Sequence, residues 1–347
     1  MVTVIELSDQ ACAAWDNYVK NSRYGLPQHL SGWRRVLHKT HGYETAYLMA
    51  LEGGRIVGVL PLFVIRNWLT GHTASTMPGG LCADSEEVAA QLIEHGKEVA
   101  RQVKAKRLIL QDTRQVWPGD FHTTTHHVHW VVNVKMPAET LWKGLDGNIR
   151  RQVRIARRNN LSVEIDRTGK CLDTFYHVFS RCAHQMGSPV FGRDFLEHII
   201  ETFPDGFNIA IVRQEQKPVG AYFQLEMGRT VYGLWGATLR EYLKQRPVYL
   251  AYWEILREAS QNGFHFLDMG RSPVDSNASR FKGQWGGVAR PIYQQATGIK
   301  DTDSAESITS QLQSDGRLRL VMQLWPRLPL PVVQFLGPRL RRYVPFA

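Results

Sequence analysis

The chain is 347 residues long, with 43% hydrophobic and 21% charged residues and a net charge of +10. That length suits two domains, each large enough for a core of its own, and the composition excludes a disordered chain. The positive excess is placed rather than spread: residues 148–160 hold five arginines and no acid, and residues 316–347 hold Arg317, Arg319, Arg327, Arg339, Arg341 and Arg342 and no acid. Charge gathered in this way points to phosphate or to an anionic membrane surface.

Tyr47 to Ile65, "YLMALEGGRIVGVLPLFVI", is an apolar strand, a polar turn and a second strand entered through Val57-Gly58. A helix is predicted from about Ser85, as N-cap, to Lys104, leading into the strand "RLILQD". Next, "HTTTHHVHW" holds His122, His126, His127 and His129, of which His127 and His129 share a face of the following strand. No nearby Cys or carboxylate completes a four-ligand zinc site, so no metal is expected.

The run "NIRRQVRIARRNN" places Arg150, Arg151, Arg154, Arg157 and Arg158 within about 120° on a helix, while Leu145, Ile149, Val153 and Ala156 share a separate arc of about 80°. It is a docked helix with one cationic stripe. "NIAIVRQEQKPVGAYFQLEM" (Asn208 to Met227) then repeats the first hairpin, with Val219-Gly220 in the place of Val57-Gly58. Tyr232 and Trp235 follow on a strand, and the helical "PVYLAYWEILREASQNG" stops at Gly263 and leads into "FHFLDMG".

Gly58 and Gly220 are 162 residues apart, and Leu108 and Phe266 are 158 apart. Two matches in register argue for a duplicated α/β domain, with the cationic helix near the junction of the copies. The expected divisions are 1–145, 146–300 and a linker and basic tail at 301–347.

The tail "RLRLVMQLWPRLPLPVVQFLGPRLRRY" suits an anionic membrane interface, though its four prolines preclude one continuous helix. Its charge-free stretch Leu328 to Pro338 is far short of the ~20 residues that span a bilayer. Cys12, Cys82, Cys171 and Cys182 form no C-x-x-C, and "MVTVIELSD" lacks a basic region followed by an apolar run. The expectation is a cytoplasmic protein, peripheral at the inner face of the membrane if the tail binds there. Neither G-x-S-x-G nor G-x-x-x-x-G-K-[ST] occurs, which removes the nucleophile-elbow hydrolases and the P-loop NTPases.

Three blocks carry a resemblance: "HGYETAYLMALEGGRIVGVLPLFVI" with "MPGG" after it; "GNIRRQVRIARRNNLSVEI"; and "FLDMGRSP" followed by "RFKGQWGG". From about His29 to Gln295 the chain resembles the FemAB group, in particular the branch associated with exosortase and exopolysaccharide genes. The resemblance implies an α/β fold of two tandem acetyltransferase-superfamily (GNAT-like) domains. It also implies transfer of an amino acid from aminoacyl-tRNA to an amine of a peptidoglycan precursor or related cell-wall intermediate, with no bound cofactor. Phe281 and Lys282 match the Phe-Lys pair of those enzymes, and that lysine is associated with the reacting ester or the tRNA end. At His184 to Val190 this chain reads "HQMGSPV", where relatives tend to begin with arginine.

Aminolysis of an ester or thioester needs a proton acceptor and a positive or N–H group for the oxyanion, but no side-chain nucleophile. The catalytic expectation therefore falls on Lys282 and Asp268, the latter at the end of a strand and paired with Arg271 or accepting a proton. Arg271 and Ser272 suit a phosphate or carboxylate; Phe281, Trp285 and Tyr232 are expected to line the cleft; Arg151 and Arg154 are expected to meet substrate phosphates. The donor is aminoacyl-tRNA or, secondarily, acyl-CoA, and the acceptor a lipid- or nucleotide-linked envelope or exopolysaccharide precursor. "LREYLKQRPVYLAY" has no glycine-rich turn of the kind that holds a CoA pyrophosphate. Two other readings stand beside this one: a CoA-dependent N-acetyltransferase acting on a nucleotide sugar, and a non-catalytic RNA- or membrane-binding adaptor.

Overall fold

A computed structural model describes residues 1–67, 71–299 and 325–343. The chain divides into two compact units, one built on Met1–His126 and the described residues from Pro291 and Pro338 onward, the other on His127–Arg290 and the residues leading to Gly337. The division falls between His126 and His127, earlier than the expected 145/146, because the strand containing His129 pairs within the second unit.

In the first unit, β1 (Val2–Glu6), β2 (Glu44–Glu52), β3 (Arg55–Ile65) and β4 (Thr73–Thr76) pair antiparallel in that order, a short β5 (Cys82–Ala83) also pairs with β3, and β6 (Arg107–Asp112) lies parallel to β4. Helices α1 (Cys12–Asn21) and α2 (Trp33–His41) precede the hairpin. The predicted helix is α3 (Glu86–Gln102), whose N-cap Ser85 accepts from Val88 N. It buries Val88, Ala89, Leu92 and Ile93 over the sheet. Gly58 lets it lie close: a Cβ there would meet Val88 Cγ1 at 2.6 Å.

The second unit begins with β7 (His122–Asn133), α4 (Ala138–Gly144) and α5 (Gly147–Arg158), the cationic helix. Asp146 caps α5 by accepting from Asn148 N at 2.7 Å, and Ile149, Val153 and Ala156 are buried, so the apolar arc read from the periodicity is the docked face. Then come β8 (Leu161–Asp166), α6 (Leu172–Gln185), α7 (Arg193–Thr202), the hairpin β9 (Phe207–Gln214) and β10 (Lys217–Met227), and β11 (Thr230–Thr238). Helix α8 (Pro247–Gln261) leads into β12 (Phe266–Pro273), followed by α9 (Asn277–Gly283). Strands β8 to β11 pair antiparallel in order, β12 runs parallel to β11, and β7 lies antiparallel on its far side.

The last strand, β13 (Val288–Gly298), runs antiparallel to β6. Each unit therefore holds a hairpin, a third antiparallel strand, a helix and a parallel strand. That is the duplication expected from the sequence.

Part of the basic tail, including Arg317 and Arg319, lies outside the described residues. The described part contains α10 (Leu330–Arg341), where Val333 and Gly337 are buried and Gln334 donates to Ser180 Oγ. No helix among the described residues is long and apolar enough to cross a membrane.

Candidate active site

Strands β11 and β12 pair at only three places: Thr230 with Phe266, Val231 with Leu267, and Tyr232 with Asp268. Past Asp268 the two separate, and the register of β12 against β7 shifts between Asp268 and Arg271. The cause is local. Gly270 has φ +77°, and a Cβ there would lie 2.2 Å from Gly233 O, so only glycine allows the backbones to cross this closely. A cavity of about 540 Å³ opens where they part. Its walls come from Gly233 to Thr238 of β11, Leu267 to Pro273 of β12, Tyr252 and Ile255 of α8, and Phe281 and Lys282 of α9.

Lys282 sits on a short helix capped by Ser276, whose Oγ accepts from Ser279 N at 3.1 Å. Its ammonium donates to Gly270 O at 2.8 Å and Arg271 O at 3.1 Å. Burial pushes its pKa down to about 8, with Asp268 opposing the shift and Arg271 adding to it. Asp268 is buried in turn: Oδ1 accepts from Gly270 N at 2.8 Å, and Oδ2 lies 2.5 Å from His129 Nδ1. Gly270 thus holds both charged groups, one through its N–H and the other through its C=O.

The cavity brings together Lys282, Asp268, Arg271, Ser272 and Phe281. Ser272 is 2% exposed and its Oγ has no partner. An unpaired buried hydroxyl facing a cleft suits a ligand contact.

Three groups of expected site residues lie elsewhere. Trp285 is buried behind the site, packed on Tyr249, Tyr252 and Phe281, and it braces α9 rather than lining the cleft. Tyr232 forms the last parallel pair before the split and is half-buried, its hydroxyl pushed up to about 12 by burial, but it does not face the cavity. Arg151 and Arg154 are exposed on α5, outside the cavity lining: Arg151 donates to Asn148 Oδ1 at 3.1 Å, and the Arg154 guanidinium lies 5.8 Å from the Trp142 ring centre. Arg157 on the same stripe pairs with Glu254 at 3.0 Å.

Two further residues take part. The sequence shows His129 on a strand face beside His127, where it reads only as a metal ligand; its contact with Asp268, 139 residues away, carries no sequence signal. Gln224 lines the cavity at 2% exposure with Oε1 unpaired, and an isolated glutamine in a strand gives no signal of that. Among the described residues, no group of three or more His, Cys, Asp or Glu side chains is placed to hold a metal ion.

Residues 145–283 match the family model described as an acetyltransferase (GNAT) domain. No curated protein matches the chain. Among solved structures, FemX is similar at 15% identity and TM-score 0.67, covering 84% of this chain and 96% of FemX. A tandem GNAT protein from the clavulanic acid biosynthesis pathway aligns at 11% identity and TM-score 0.55, covering 87% of this chain and all of that one. The C-terminal domain of a protein assigned as a lysylphosphatidylglycerol synthetase, from Agrobacterium fabrum, aligns at 11% identity and TM-score 0.58, covering 85% and 94%. The α/β fold of two tandem GNAT-like domains expected from the sequence is the one found, similar over most of its length to FemX and to a tandem GNAT protein.

Proposed function

We propose that the protein is a Fem-like transferase that moves an aminoacyl or acyl group onto an amine of a cell-envelope or exopolysaccharide precursor. One observation carries the reading: a buried lysine and a buried aspartate are locked to one glycine at the mouth of a cavity between two separating parallel strands. With two N–H groups donated to carbonyls, the Lys282 ammonium has one left for an oxyanion or a substrate phosphate. Asp268 keeps lone pairs for the proton that the attacking amine loses. Arg271 and Ser272 line the same cleft, where an anionic acceptor would be held.

Aminoacyl-tRNA is favoured over acyl-CoA as donor by the start of α8. Pro247 has no N–H, and Tyr249 N already donates to Arg246 O at 3.2 Å, so few backbone donors remain there for a pyrophosphate. The names of two similar structures, FemX and a lysylphosphatidylglycerol synthetase, support the aminoacyl reading. The name of the matching family model supports the acetyl-CoA alternative. Incubation with labelled aminoacyl-tRNAs and acyl-CoAs plus extracted envelope precursors separates the two. Loss of the aminoacyl ester alone is the expected result, and loss of thioester alone would reverse the donor assignment.

A lipid-linked acceptor would place the protein at the inner face of the cytoplasmic membrane. Helix α10 suits that position, with Phe335 60% exposed and no acid in residues 316–347. Full-length protein is expected to sediment with anionic liposomes more than a form ending at Ser314 does. Equal pelleting would remove the membrane role.

A further inference from the structure

His129 stands behind Asp268, on β7, with side-chain exposures of 11% and 12% for the two residues. A bare imidazole nitrogen and a carboxylate oxygen are both acceptors, so their 2.5 Å contact must hold a proton. With Asp268 as carboxylate, Nδ1–H is the donor. Nε2 is buried with no partner, so the ring's polar contact runs through Nδ1 to Asp268. An imidazole held in this way does little for packing that an apolar side chain would not do as well. What it does is fix one oxygen of the carboxylate while Gly270 N–H fixes the other.

We infer that His129 is a positioning residue for the transfer reaction: its Nδ1–H holds the Asp268 carboxylate in one rotamer beside Lys282, so that Asp268 accepts the proton released by the attacking amine. The inference rests on the transferase reading above. In the step it serves, the amine nitrogen forms a bond to the acyl carbon of an ester or thioester donor and the C–O or C–S bond breaks. The amine proton goes to Asp268, and the leaving oxygen or sulfur departs with the bonding pair and takes a proton from solvent or Lys282. His129 itself keeps its proton throughout.

The test uses the full chain with His129 replaced by Asn, Gln or Leu. Asn presents an N–H close to the position of Nδ1, whereas Gln presents it near that of Nε2 and Leu has none. His129→Leu and His129→Gln are expected to lower kcat by about 100-fold with KM for the donor within about twofold, and His129→Asn to recover at least about tenfold of that loss. A merely structural role would lower the thermal midpoint of all three without separating Asn from Gln, and that pattern would overturn the inference.

A second readout needs no turnover: the rate at which an amine-reactive reagent labels Lys282, followed by mass spectrometry against pH. The wild-type midpoint is expected near pH 8. It should move in His129→Gln, because a released carboxylate no longer acts on Lys282 from a fixed place, and should stay in His129→Asn. An unchanged midpoint in both overturns the positioning role. A moved midpoint in a protein that consumes no donor would sink the transferase reading while leaving the coupling of His129, Asp268 and Lys282 intact.

Discussion

The two units use one topology to opposite ends. In each, a strand runs parallel to its neighbour for three pairs: Thr73, Ala74 and Ser75 of β4 with Arg107, Leu108 and Ile109 of β6, and Thr230, Val231 and Tyr232 with Phe266, Leu267 and Asp268. In the first unit the chains then rejoin. Gly79 bridges Asp112, Gly79 N donates to Gln111 O at 2.8 Å, and the Gln111 side chain donates to Thr76 O at 3.2 Å. Trp117 Nε1 donates to Asp112 Oδ2 at 2.8 Å and completes the closure. In the second unit the ladder between β11 and β12 ends at Tyr232 and Asp268, and a cavity stands beyond it. Glycines make both outcomes possible: a Cβ on Gly80 would lie 2.7 Å from Asp112 Oδ2, and one on Gly270 would lie 2.2 Å from Gly233 O. The fold supplies a place for a cleft; the polar groups just beyond the third pair decide whether it opens.

The sharpest way to break this contrast is to add a methyl group on each side. Gly270→Ala and Gly80→Ala both place a side chain at positive φ against backbone or a fixed carboxylate, and each is expected to cost about 2–4 kcal/mol in denaturant unfolding. Only Gly270→Ala should also remove activity from the fraction that remains folded. Equal loss of specific activity in both would mean that the first unit's closed strands serve the chemistry too.

A smaller effect separates the units by pH. The folded-state pKa of Lys282 lies below its unfolded value, so the folded chain binds fewer protons between about pH 8 and the ordinary lysine range, and this group makes stability rise with pH there. Wild-type protein is expected to gain stability relative to Lys282→Met as pH rises through that window. Activity that depends on the ammonium should fall over the same range. A flat stability difference between pH 8 and 10 would show that the amine is not desolvated.

The smallest effect belongs to the cationic stripe. Arg151 and Arg154 are exposed, so reversing both to Glu is expected to change unfolding free energy by less than about 0.5 kcal/mol. If they meet substrate phosphates, donor or acceptor KM should rise severalfold and the salt dependence weaken. An unchanged KM would leave the stripe as a solvated helix face.

Much of this architecture was legible from local pattern. The hairpins with a glycine at matching positions, the Ser85 cap and the apolar arc of α5 are properties of a few consecutive residues, and the chain folds as they indicate. Lys282, Asp268, Arg271, Ser272 and Phe281 were marked by a compact motif and do meet in one cleft. The rest depended on register between distant strands. That His129 faces Asp268 follows from β7 lying antiparallel beside β12 across a bulge, which no local spacing encodes. Tyr232 and Trp285 carry the same aromatic signal as Phe281, yet only the sheet's geometry decides which of them reaches the cavity. An arginine stripe shows where charge is exposed, not what it faces.

The most direct test of where the chemistry resides is single-turnover loss of labelled aminoacyl ester with wild-type protein, Lys282→Ala and Asp112→Asn side by side. The open-cleft account predicts that Lys282→Ala loses at least about 100-fold in rate while Asp112→Asn stays within about threefold of wild type. Retained turnover in Lys282→Ala, or its loss in a folded Asp112→Asn protein, would contradict the assignment of the reaction to the second unit.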